Sequence, residues 1–201
     1  MTVANTRTAD HPIDKLFLER WSPRAFVPQE MPEADLMTIL EAGHWAPSSY
    51  NSQPWRMLYA RRGTAHWDKF LGLLNAFNQS WAKNGSALII MVSKSTMRPP
   101  GQEKDIPSHT HSFDAGAAWA QMALQATLSG YQAHGMVGFD MERAFAELNV
   151  PEGHRVEAAI VIGKQGDKST LSELSEQMRA REAPSGRNRL SEAALEGGFP
   201  G

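Results

Sequence analysis

Trp45-Ala46-Pro47-Ser48-Ser49-Tyr50-Asn51-Ser52-Gln53-Pro54-Trp55 is the stretch on which the reading of this chain turns. Small or polar residues run without a break from Ala46 to Gln53, between two tryptophans. Upstream, Leu36, Ile39 and Leu40 keep a 3.6-residue period that starts after Pro32 and ends at Gly43 and Pro47, which predicts a helix. Downstream, Trp55 to Ala60 lies between Pro54 and the Arg61-Arg62-Gly63 turn, which predicts a strand. The stretch is therefore a helix-to-strand loop. Its polarity has two readings: solubility alone, or a hydrogen-bonding wall of Ser, Asn and Gln for the edge of a ring.

The same alternation continues outward. Ile13, Leu16 and Phe17 fit a short helix broken at Ser22-Pro23, after a polar, flexible N-terminal arm over 1–11. Trp67, Phe70, Leu71 and Leu74 mark another helix, and Ala87 to Val92 reads as a buried strand. Residues 94–111, with Pro99, Pro100, Gly101 and Pro107, read as a long mobile loop or lid. Phe113 to Tyr131 is the longest helical pattern, and its many alanines allow close approach to other helices. Val137 opens a short extended piece, Met141 to Leu148 a further helix, and Val156 to Gly163 the last strand. A weak helix over Leu171 to Met178 then leads into a polar tail, so that 164–201 forms a C-terminal extension of one domain spanning 1–201. Strands alternating with helices suggest, by periodicity alone, a parallel α/β sheet.

Composition removes whole classes of function. The chain has 201 residues, 41% of them apolar, which is enough for one full core without a metal or disulfide. No cysteine is present, so thiolate nucleophiles, thiolate zinc sites and iron–sulfur clusters are excluded, and any redox chemistry needs a borrowed cofactor. A net charge of −2 gives no field for nucleic acid or an anionic membrane. The longest aliphatic run, Ala87 to Val92, is far too short to span a bilayer. The first residues lack a signal-peptide core, which makes the cytoplasm the expected compartment.

Dinucleotide-fold, P-loop, α/β-hydrolase and zincin motifs are all missing. His109-Thr110-His111 lacks a carboxylate pair and reads as two solvated loop histidines, so no metal site is expected. Glu19-Arg20-Trp21-Ser22-Pro23-Arg24-Ala25-Phe26 is different. Two arginines flanking a serine just past a helix can hold a phosphate dianion through charge-assisted bonds, although the pattern is also common on ordinary surfaces.

RWSPRAF followed by WAPSSYNSQPW resembles the flavin-dependent nitroreductase family. Further similarity follows in order: Asn78 in NQSWAKN, HSFDAGA from His111, HGMVGFD from His134, and SGRNRL from Ser185. The resemblance covers roughly Ile13 to Ala194. It implies an α+β, three-layer fold with a mostly antiparallel central sheet between helices, and a C-terminal arm embracing the partner subunit of a homodimer. It also implies tightly bound FMN at the dimer interface, with NADH or NADPH as transient substrate. Ping-pong hydride transfer through flavin N5 would then reduce small electrophiles such as nitroaromatics, quinones, flavins or enals. The alternatives are a non-catalytic FMN-sequestering protein or a specialised flavin enzyme of the same superfamily.

Site residues follow from the resemblance position by position. Arg20 and Ser22 match the phosphate ligands, with Trp21 between them where other members carry a polar residue. Arg24 matches the basic residue near the pyrimidine end, the candidate to stabilise negative charge at N1 and O2 of the reduced ring. Pro47, Ser48, Ser49 and Asn51, closed by Gln53, match the loop laid against the flavin by the partner subunit. Asn78 matches a pyrimidine-edge contact, Val137 and Gly138 the turn whose backbone amides face N5, and Arg187 and Arg189 the basic pair at the phosphate. No side chain is expected to act as catalytic acid or base.

Overall fold

In the computed structural model, which describes residues 5–199, the sheet is apolar on both faces. Residues 1–4 of the expected arm and 200–201 of the expected extension lie outside the described residues. Along β2 (Ala87–Lys94), Leu88, Ile90 and Val92 enter one core cluster while Ala87, Ile89 and Met91 enter another. The strand β6 (His154–Gly163) divides likewise, with Ala159 and Val161 on one side and Ile160 and Ile162 on the other. Because successive strand side chains point to opposite faces, such runs need cover on both sides. That cover makes three layers. On one face lie α2 (Glu33–His44) and α5 (His111–Leu128). On the other lie α3 (Trp67–Leu73), α4 (Ala76–Ala82) and α6 (Met141–Glu147), with Leu171 and Leu174 of the tail.

The sheet runs β1 (Trp55–Arg61), β2, β6, β5 (Gln132–Met136), and every neighbouring pair is antiparallel. Periodicity alone therefore misreads it as parallel. The reason is visible between β1 and β2, where two seven-residue helices connect the strands and Ala87 returns opposite Arg61. Two short helices bring the chain back to the end it left, whereas a parallel neighbour needs a crossover to the far end.

The long helix packs as its alanines suggest. A Cβ on Gly43 would lie 2.5 Å from Met122 Cγ and 3.1 Å from the Ala118 carbonyl, so α2 and α5 touch there. Boundaries differ from the sequence pattern. α5 starts at His111 and ends at Leu128, and Tyr131 turns into the core, donating to Asp35 Oδ2 at 2.6 Å. The extended piece ends before Val137 instead of starting there. Gly135 is a strand residue because the Trp119 ring occupies the space a Cβ would need, at 3.2 Å.

The segment 94–111 is folded into a two-stranded ladder, β3 (Thr96–Met97) with β4 (Ile106–Pro107), where Lys94 and Arg98 pair with Asp105 at 2.7 and 2.8 Å. The helix expected over 171–178 is replaced by a 3-10 turn at Lys168–Leu171 and by α7 (Glu176–Ala180), whose first turn is capped by Ser175. The tail is fastened by buried Glu182, whose Oε1 accepts the N–H groups of Arg24 (2.7 Å) and Ala25 (2.8 Å). Among the described residues no helix is long and apolar enough to cross a membrane.

Candidate functional site

Arg20 caps the four-residue helix α1 (Leu16–Glu19), and the extended backbone that Pro23 imposes on its neighbour carries the chain past Ser22. Arg20 Nη1 donates to Ser22 Oγ at 3.3 Å. Burial, and then the positive charge of Arg187, hold the Arg20 guanidinium below the usual arginine range. Arg20 and Arg187 thus come together from opposite ends of the chain. Arg189 shares a surface groove with Arg187 but lies farther along it, beside Asp10, His11 and Leu190. Trp21 is buried with its N–H 3.5 Å from Gln132 Oε1. The Trp21 side chain is thus buried between the half-buried Arg20 and Ser22.

Arg24, two residues beyond Ser22, lies with its guanidinium 5.9 Å from the Trp81 ring centroid, and among the described residues its buried Nε has no hydrogen-bond partner. Trp81 and Asn78 sit one turn apart on α4, both buried. Asn78 Nδ2 donates to the Gly138 carbonyl at 2.9 Å, and the same carbonyl accepts the Asn75 N–H at 3.0 Å. A Cβ on Gly138 would be 2.4 Å from Asn78 Nδ2, so only glycine fits. Among the described residues the Gly138 N–H donates to none, and Val137 beside it is 70% exposed. Val137, Arg20 and Ser22 line one cavity of about 670 Å³, whose other walls come from α5, including Ala115, Trp119 and Ala123.

The Pro47–Gln53 loop has an unusual backbone. Tyr50 (φ 52°), Asn51 (φ 52°) and Gln53 (φ 48°) are all left-handed, a region that costs a non-glycine residue about 1–2 kcal/mol. The shape is held from within: Ser48 Oγ accepts the Gln53 N–H (3.0 Å), and Gln53 Nε2 donates to the Asn51 carbonyl (2.9 Å). It is also anchored to α5, where buried Asp114 accepts the Ser49 N–H (3.2 Å) and the Thr110 hydroxyl (3.0 Å). None of Pro47, Ser48, Ser49, Asn51 or Gln53 lines the cavity that Arg20, Ser22 and Val137 share. The arginine turn and the Val137–Gly138 turn thus share one cavity, and the loop is fastened to α5 beside cavity-lining Ala115.

The profile of the Nitroreductase family matches residues 18–85, the part of the chain that carries both the arginine turn and the strained loop. A solved structure described as an oxidoreductase containing FMN is 48% identical, covers all of both chains and superposes with a TM-score of 0.91. The chain belongs to the nitroreductase family. A second relative is an uncharacterized 15.4 kDa protein of the ask 5' region of Mycolicibacterium smegmatis. It is 36% identical over 126 residues, which cover 63% of this chain and 79% of that protein. An NADH dehydrogenase of Thermus thermophilus is 27% identical over 173 residues, covering 73% and 83% respectively.

This member of the family has polar residues near the cavity that carry no signal in the sequence. His111 is not a solvated loop residue but the first residue of α5, with a side chain only 16% exposed. Ser93 and Ser112 donate to Glu157 Oε1 at 2.5 and 2.7 Å. The single Ser93 proton is thereby spent, so His111 Nδ1 carries the hydrogen shared with Ser93 Oγ at 2.7 Å. Ser112 and Glu157 reach the cavity wall, giving a mostly apolar chamber one polar corner. His134 lies behind the arginine turn, its Nδ1–H donating to the Pro23 carbonyl at 2.9 Å and its ring 4.7 Å from Trp81. Burial pushes its imidazole down to about 4, against the pull of that bond, with the Arg24 charge adding to the fall. Nor is the arm over 5–11 free: Arg7 turns inward from it, and Asp10 accepts the Leu190 N–H at 2.9 Å.

Proposed function

We propose that the chain is an FMN-dependent oxidoreductase that uses NADH or NADPH to reduce small electrophiles and works as a cytoplasmic homodimer. One observation carries the reading. Arg20 and Arg187 converge beside Ser22, and among the described residues no carboxylate lies within ion-pair distance of either. Like charges crowded without a counter-charge fit a phosphate dianion.

The remaining donors fit the rest of such a cofactor. Among the described residues, Arg24 Nε is buried and unpartnered, the Gly138 N–H is free, and the Asn78 amide is locked beside them. In this reading Arg20, Ser22, Arg187 and Arg189 hold the phosphate, Arg24 and Asn78 the pyrimidine end, and the Val137–Gly138 turn the central ring. The chemistry that FMN supplies when bound is ping-pong hydride transfer through N5, from the nicotinamide to a nitroaromatic, quinone, flavin or enal. The chain's own work is to bind, orient and exclude water, and the apolar walls from Ala115, Trp119 and Ala123 serve the last purpose.

The dimer follows from two features. The polar loop Pro47–Gln53 does not line its own cavity, and an apolar face of α5 with its surroundings is uncovered, Phe113 at 79% and Leu128 at 65% exposure, together with Val137. A second copy would cover that face and bring its loop to the first copy's site, with the C-terminal segment 164–201 across the join.

The test is the purified protein itself. It should carry absorption bands at about 370 and 450 nm that bleach anaerobically with NADH or NADPH and recover on adding an acceptor. A protein that gains no such bands even with added FMN overturns the reading. A yellow protein that neither nicotinamide bleaches is the sequestering alternative.

A further inference from the structure

Arg7 is half-buried while its neighbours Thr6 and Thr8 are exposed. Its Nε donates to the Ser185 carbonyl at 2.7 Å, and its Nη1 to the carbonyls of Leu18 (3.1 Å) and Arg20 (2.7 Å). One side chain therefore ties the N-terminal arm to the arginine turn and to the tail. Arg187 converges on the same serine, its Nη1 reaching Ser185 Oγ at 3.3 Å. Arg7 and Arg187 line a hollow of about 210 Å³, and Phe17 borders both this hollow and the large cavity that Arg20 lines.

A strut made only to pin the arm has no reason to gather charge. Yet three guanidiniums meet here, and among the described residues none of them has a carboxylate within ion-pair distance. Arg7 Nε and Nη1 are engaged by backbone carbonyls, but among the described residues the other donors of the three are weakly held. Arg7 Nη2 has only Ser185 Oγ at 3.5 Å, Arg20 only Ser22 Oγ at 3.3 Å, and Arg187 only groups within two residues of itself. Such long or local contacts are weak and are readily exchanged for an anion. Burial, then the charges of Arg187 and Arg20, hold the Arg7 guanidinium below its usual range, and an anion shared by the three would relieve the last two.

We propose that Arg7 is a third guanidinium ligand of the cofactor's phosphate, delivered by the N-terminal arm, which closes the phosphate end of the site. This rests on the FMN reading above. It predicts affinity for a phosphate monoester and none for the ring system as such, because the groups Arg7 touches lie at the Arg20–Arg187 end and away from Arg24, Asn78 and Gly138.

The experiment titrates full-length protein, stripped of flavin, with FMN and with riboflavin, which lacks the phosphate. Wild type is compared with Arg7→Ala, Arg7→Lys and, as benchmark, Arg20→Ala. Arg7→Ala should weaken FMN by about 10- to 150-fold, the worth of one charge-assisted bond, and leave riboflavin within about threefold. Arg7→Lys keeps the charge and loses the fork, so it should recover part of the FMN preference; it also serves if Arg7→Ala does not fold. Equal losses for both flavins would make Arg7 a strut and overturn the proposal, as would unchanged affinities. If Arg20→Ala also fails to separate FMN from riboflavin, it is the underlying phosphate site that fails. Discrimination by Arg20 without any by Arg7 refutes the inference alone.

Discussion

His134 makes the fold acid-sensitive by an amount that can be worked out. An exposed imidazole titrates near 6.5, whereas burial among Trp81, Pro23 and Arg24 brings this one down to about 4. Above pH 6.5 both folded and unfolded chains hold it neutral, so it contributes no pH dependence there. As pH falls from 6.5 to 4 the unfolded chain takes the proton first, and stability drops. Each unit is worth 1.36 kcal/mol, so the full loss by pH 4 is about 3 kcal/mol. The perturbation that isolates it is His134→Asn, whose amide can still donate to the Pro23 carbonyl but does not titrate. Urea midpoints at fixed protein and FMN concentration, taken at half-unit steps from pH 7 to 4, give the two curves. Wild type should fall about 3 kcal/mol further than the variant over that range, whatever their offset at pH 7. Curves that stay parallel would refute the reasoning, because the imidazole would then titrate alike in both states.

Four further outcomes are expected. Gly138→Ala should push Asn78 off the Gly138 carbonyl, its new Cβ falling 2.4 Å from Nδ2, and cost about 1–3 kcal/mol in thermal or urea unfolding together with weaker FMN binding. Asp114→Ala removes the acceptor of the Ser49 N–H and should loosen the loop, seen as faster proteolysis or amide exchange over 47–53. Sedimentation at micromolar concentration should give a dimer carrying two FMN, and a fully loaded monomer would contradict the shared site. Arg24→Gln should lower the two-electron potential, 30 mV corresponding to about 1.4 kcal/mol, with less change in oxidised FMN affinity; an unchanged potential would move Arg24 away from N1 and O2.

What the sequence made legible is what is local. The helix α2 follows its apolar period, with Leu36, Ile39 and Gly43 buried, and the run at 87–92 is a strand buried on both faces. Strand direction was not legible in the periodicity, and only the resemblance gave the antiparallel sheet that the structure has. A two-sided apolar strand is the usual mark of a parallel sheet, and the pairing of Arg61 with Ala87 reveals the return. Nor was the role of Gly135 legible, a strand glycine that yields its Cβ space to Trp119, a contact across 16 positions. The motif residues Arg20, Ser22, Asn78, Gly138 and Arg187 could be found by resemblance. Arg7 could not, since nothing in a polar arm distinguishes an arginine that turns inward. Glu157 had no signal either, because its serine partners lie on β2 and α5 and meet it only once the sheet has formed.

The two readings left open for the Pro47–Gln53 loop can be decided on how its polarity is used. A loop made polar for solubility turns hydroxyls and amides outward and hides its rings. Here Ser48 and Gln53 bond within the loop and the Ser49 N–H is tied to Asp114, while Trp45 and Tyr50 are 76% and 67% exposed. The polar groups go to maintain a backbone with three left-handed residues, each costing about 1–2 kcal/mol and offset by internal hydrogen bonds worth about 1 kcal/mol net. Strain kept by that much bonding is a shape held ready. The exposed rings flanking it have no cover within the chain, and large apolar groups left at the surface beside a preformed loop suit a contact with another surface. That is the arrangement required if, as proposed, the loop completes a site on a second subunit.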